Sequence, residues 1–145
     1  MTVIWVHGCN LITDQPKATT SLDQATGRTR VTTTITNPGI PHVLRIAIPT
    51  PTMLLGKPVH ATRTILKFKT INTQINQITL HDGDVALFPS IVGPLTSNST
   101  TAVHGFAIVP SYHVEGGIAI SVEISFLDPS GIFDFIGAGM EFETT

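Results

Sequence analysis

The chain has 145 residues, a formal net charge of −2, a mean hydropathy of +0.28 and one cysteine, Cys9. That length fits a single domain, 1–145; one cysteine excludes an intramolecular disulfide, and eight scattered lysines and arginines exclude the concentrated basic footprint of a nucleic-acid binder. Only 12% of residues are charged, about half the ~25% of ordinary soluble domains, and 22 are threonine, which gives a weakly hydrated, adhesive surface.

Taken in chain order, Thr2 to His7 is a short, almost wholly apolar run, which predicts a strand covered on both faces with Trp5 in the core. The start has neither the basic nor the apolar region of a signal peptide, and no window approaches the ~18 apolar residues of a membrane span. The expectation is no membrane contact, and a cytoplasmic location or export by a non-classical route. Asp14 to Arg28 is polar and lacks the apolar stripe of a packed helix, so it reads as a loop or one helical turn.

Thr29 to Thr36 reads as a strand with Val31 and Ile35 on one side and Thr32, Thr34 and Thr36 on the other. His42 to Ile48 sets Leu44, Ile46 and Ile48 against Val43, Arg45 and Ala47. Thr62 to Thr70 turns Leu66 and Phe68 inward and Arg63, Lys67 and Lys69 outward, a stripe that reads as a solvated strand face. Further strands are expected at Ile75 to Leu80, Val85 to Phe88, Thr101 to Val109, Gly117 to Phe126 and Ile132 to Glu143. The alternation is clearest in Gly117 to Phe126, where Ile118, Ile120, Val122, Ile124 and Phe126 share one face. Breakers such as Asn37-Pro38-Gly39, Asp82-Gly83, Gly93-Pro94 and Asp128-Pro129-Ser130-Gly131 separate them. Eight or nine short strands without alternating helices predict an all-β, antiparallel β-sandwich of jelly-roll type.

Few residues carry chemistry. His81-Asp82-Gly83-Asp84 is the densest polar cluster; it suits a hairpin turn better than a hard-cation site, and it has too few ligands for a calcium loop. The six histidines make no close pair in sequence, and His104 is expected inside with Phe106 and Ile108. There is no nucleophile elbow and no phosphate loop. Gly137 and Gly139 lie inside a strand and mark a bulge or a close backbone approach. Carboxylates for glycoside hydrolysis would have to come from Asp134, Glu141 and Glu143, or from Glu115 and Glu123, and nothing in the sequence sets their spacing. With Trp5 assigned to the core, Tyr112 is the one aromatic expected to serve as an exposed platform.

The opening Ile4-Trp5-Val6-His7-Gly8, the segment Arg45 to Pro51, the Asp82-Gly83 turn and Gly117 to Val122 resemble a family of small bacterial β-sandwich proteins of unknown function. The resemblance spans nearly the whole chain and implies a single-domain sandwich; it supplies no catalytic residues.

Two functions follow as expectations, neither enzymatic and neither needing a cofactor or metal. The first is a structural or scaffold subunit of a homo-oligomer, because a monomer of this mass exposes on the order of 7,000 Å² with little charge to coat it. Its contact surface is expected at Thr32, Thr34, Thr36, Thr52, Leu55 and Leu95. The alternative is a carbohydrate- or small-ligand-binding module, with a glycan as partner, using loops at one end of the sandwich. Its site is expected at Tyr112, His113, His81, Asp82 and Asp84.

Overall fold

The computed structural model describes residues 2–7, 11–13, 20–25, 27–33 and 41–144. They form twelve strands and no helix: β1 (Thr2–His7), β2 (Leu11–Thr13), β3 (Thr20–Ala25), β4 (Arg28–Thr33), β5 (Pro41–Ala47), β6 (Met53–Leu54), β7 (Lys57–Ile71), β8 (Thr73–Asp82), β9 (Val85–Leu95), β10 (Ala102–His113), β11 (Ile118–Phe126) and β12 (Ile132–Thr144). Sheet A runs β10-β7-β12-β4-β3, with β6 beside β7; sheet B runs β2-β5-β11-β8-β9. Every pairing described is antiparallel, and the two sheets make the expected β-sandwich.

β12 organises sheet A. One edge pairs with β7 from Ile132 to Thr144, and the other is shared: β4 takes Ile132 to Phe135 and β1 takes Gly137 to Phe142. A bulge between Phe135 and Gly137 changes the parity there, so Phe133, Phe135, Ala138, Met140 and Phe142 all face the core. Sheet A thus contributes phenylalanines, with Phe68 from β7, and sheet B contributes a β-branched layer of Ile46, Ile75, Ile78, Ile118, Ile120 and Ile124. Broad flat rings pack against branched chains between the sheets, and burying each such side chain contributes about 1.5–3 kcal/mol. The total accessible surface is 7220 Å², the value expected for a monomer of 15.5 kDa.

Nine expected strands are present, most of them longer than anticipated, and β2, β3 and β6 are additional. β3 lies in the polar stretch read as a loop or helical turn. Its backbone is paired residue by residue with β4, across a turn in which Gly27 takes a φ of 77°. The expectation that β1 is covered on both faces is overturned: Val6 is buried, but Val3 and Trp5 are exposed, because among the described residues no layer lies over the outer face of sheet A. Leu95, expected on a contact surface, is partly buried against the core, while Thr52 and Leu55 are exposed and Thr32 is half-buried opposite Ile132. Thr34 and Thr36 lie outside the described residues.

Candidate functional site

Of the five residues expected to form a site at the sandwich end, Asp82 and Tyr112 meet through a hydrogen bond and the others diverge, because successive strand residues point to opposite faces. Asp82 is buried, and its carboxylate accepts hydrogen bonds from the Glu115 and Gly116 backbone N–H groups at 2.8 and 2.9 Å. It therefore pins the turn between β10 and β11. Gly83 and Asp84 form the two-residue β8–β9 hairpin loop, with Gly83 at a φ of 61° as a tight turn requires and Asp84 exposed. His81 points the other way, into a shallow polar hollow of about 240 Å³ on the outer face of sheet B with Arg45, Gln77, Ser121 and Glu123.

Tyr112 is half-buried against the core, so it is not the open platform expected of it. Partial burial, then the charge and hydrogen bond of Asp82 and the charge of Glu115, push its hydroxyl above the usual tyrosine range. His113 faces outward from sheet A beside His60, with ring centroids 5.3 Å apart; His60 Nδ1 is buried without a hydrogen-bond partner. His104 is partly inside, as expected, stacked on Phe68 at 5.4 Å. Among the described residues no three His, Cys, Asp or Glu side chains are grouped to hold a metal ion.

The outer face of sheet A is arranged differently. Register places Trp5 of β1, Gly139 of β12, Ile65 of β7 and Gly105 of β10 in one row across four strands. The row on one side is Val3, Glu141, Arg63 and Ala107, and on the other His7, Gly137, Lys67 and Val103. A Cβ on Gly139 would meet three atoms of the Trp5 ring at 3.0, 3.1 and 3.2 Å. Such near-equal distances to adjoining ring atoms mean that the indole presents its face to the glycine. One face rests on β12 and the other is open, leaving the residue 52% exposed.

The same device recurs two strands away. A Cβ on Gly105 would collide with Nη2, Nε and Cζ of Arg63, so this guanidinium also lies over a glycine. Gly137, by contrast, lies where a Cβ would come within 3.1 Å of the Val6 carbonyl oxygen, the close backbone approach expected of it. Further along the face Asp134 is buried. Arg30 grips it bidentately, Nε to Oδ1 at 2.8 Å and Nη2 to Oδ2 at 2.9 Å, with Arg28 at 3.7 Å, so this carboxylate is committed to structure.

Sequence reasoning missed Trp5 because an apolar run looks the same whether one face or both are covered. The available signal was in another strand: Gly137 and Gly139, two apart, clear one face of β12 for a neighbour to lie on.

No protein-family model and no curated protein matches the sequence. Solved structures do. A low-affinity xylan-binding module, CBM86, from Roseburia intestinalis superposes with a TM-score of 0.54 at 12% identity, over 99% of this chain and 97% of that one. A family 29 carbohydrate-binding module from Piromyces equi gives 0.50 at 9% identity, over 96% and 91%. A Stig cyclase, Fisc, from Fischerella sp. TAU gives 0.55 at 10% identity, over 97% and 89%. At such identities the likeness is one of fold: a β-sandwich of the architecture found in carbohydrate-binding modules, which a cyclase also uses.

Proposed function

We propose that this chain is a non-catalytic carbohydrate-binding module whose ligand lies on the outer face of sheet A, stacked on Trp5. The observation that carries the proposal is the indole itself, laid flat on Gly139 with its second face open. The C–H groups of a sugar ring carry partial positive charge and pack on the negative face of an aromatic ring, and a ring held on one side loses little freedom when covered on the other. Hydroxyl groups around that ring find donors in Arg63 and Lys67 and an acceptor in Glu141 in the flanking rows. All these groups stand on strands and not on loops, which fixes their spacing. The solved carbohydrate-binding modules of like fold support this choice, although the cyclase shows that the fold alone does not make it.

The test is a titration with soluble polysaccharides (xylan, β-glucan, mannan and pectin), followed by tryptophan fluorescence and by retardation in polysaccharide-containing gels. The expected result is a fluorescence change with at least one of them and a loss of binding of about tenfold or more in Trp5→Ala, as for other stacking anchors. Tyr112→Phe should bind as the parent does. Retained binding in Trp5→Ala, or no response to any glycan, would overturn the proposal.

A second reading, self-association as a scaffold, draws on the β6–β7 turn, where Met53 is exposed and Leu55 is 94% exposed at a φ of 53°. Its signature is a mass that rises with concentration and falls back in Leu55→Asp.

A further inference from the structure

We infer that the glycan is acidic, and that Arg63, assisted by Lys67, holds an anionic group on a sugar about two residues along the chain from the one stacked on Trp5. The inference rests on the reading of this face as a glycan site and adds the chemical class of the ligand.

Arg63 is paired in register with Glu141 on β12, the neighbour with which an arginine on a sheet ordinarily forms an ion pair. It forms none: among the described residues the ion pairs are those of Arg28 and Arg30 with Asp134. The guanidinium instead turns to the opposite side and lies over Gly105 of β10. Gly105 leaves room for a planar group that any side chain would displace, as Gly139 does for the indole. Two planar groups are thus laid on glycines in one cross-strand row, with Ile65 of β7 between them.

The cations of this face divide into two kinds. Arg28 and Arg30 share the Asp134 carboxylate, which Lys69 also faces in register, whereas Arg63 and Lys67 make no ion pair among the described residues. Lys67 stands one row beyond Ile65, opposite Gly137 and Val103, neither of which carries charge. A chain with net charge −2 therefore holds, beside its exposed tryptophan, two cations that form no ion pair among the described residues.

Spacing sets the geometry of the ligand. Gly139 and Gly105 lie on strands that flank β7, so the two planar groups are about two strand spacings apart, roughly 9–10 Å. That is the length of a disaccharide in an extended glycan running across the strands. A sugar stacked on Trp5 thereby brings the second sugar along over Arg63, whose fork of N–H groups matches a carboxylate or a sulfate ester bidentately.

The experiment compares polygalacturonate oligosaccharides with their methyl esters, which keep the backbone and mask the carboxylate, and adds a sulfated galactan as a separate arm. Binding is read by Trp5 fluorescence and calorimetry in low and high salt, with thermal melts to confirm that each variant is folded. The acid form should bind about tenfold or more tightly than the ester, with a preference that shrinks as salt rises. Arg63→Ala should equalise the two, Arg63→Lys should restore part of the difference, and Trp5→Ala should weaken both. A sulfated galactan that outcompetes the uronate supports the anionic site and identifies its group as a sulfate ester. Equal binding of acid and ester, or an unchanged ratio in Arg63→Ala while Trp5→Ala still abolishes binding, overturns the acidic preference and leaves the glycan platform standing. Failure of every glycan to alter the Trp5 signal removes both.

Discussion

Gly139 does for Trp5 what no side chain could, and its replacement separates platform from stability. In Gly139→Ala the new Cβ would press on ring atoms 3.0–3.2 Å away, and because the indole is exposed it can lift by a few tenths of an ångström. Affinity for the glycan should fall several-fold while stability changes by under about 1 kcal/mol, since no core contact is touched; melting curves and fluorescence titration measure the two together. His42 behaves oppositely. It is 2% exposed, edge-on to Phe126 at 5.2 Å, and burial holds its pKa below the ordinary 6.5. The unfolded chain then binds more protons than the native one, so the stability that this residue contributes is present above about pH 6.5 and is lost as pH falls below it. Melting temperature should drop between pH 7 and 5, and His42→Leu should flatten that slope. Of these two residues the sequence revealed only part: it put His42 at the start of an alternating strand, but it placed Trp5 in the core. Which face of a short apolar run meets solvent depends on whether another layer covers it, and that is decided by strands elsewhere in the chain.

At the scale of elements, the strands with alternating apolar residues were legible because one buried face imposes a period of two on the sequence. β3 was not, because its pairing with β4 is a matter of backbone hydrogen bonds, which leave no mark on side-chain polarity. The Asp82 cluster shows the same division. Its sequence announced a turn, and the hairpin of Gly83 and Asp84 is there, but the carboxylate is engaged by a different loop. Hydrogen bonds from two backbone amides to one buried charge contribute about 1.5–3 kcal/mol each. Asp82→Ala should therefore destabilise the protein by a few kcal/mol and speed hydrogen exchange most at the Glu115 and Gly116 amides. Uniform acceleration across sheet B would show instead that Asp82 acts on the whole sandwich.

For the whole molecule, low charge suggested a surface in need of covering, yet one edge of each sheet carries its own protection. β9 holds Pro89 and Pro94 and β10 holds Pro110, and an edge strand interrupted by proline is a poor template for another chain. Light scattering over a hundredfold concentration range should return an unchanging monomer mass, and a multimer would redirect attention to Met53 and Leu55. The pairing of β1 with β12 has a further consequence. The sandwich joins nearly the first residues of this chain to nearly the last, Thr2 opposite Phe142, and the solitary tryptophan sits on that seam. Contacts between such distant segments carry the largest loop-closure cost and slow the search for the native state. Trp5 emission is therefore a built-in clock for closure of the chain on itself: during refolding it should reach its native value no earlier than the slowest phase seen by circular dichroism. A nascent chain still lacking β12 would have no binding face to offer.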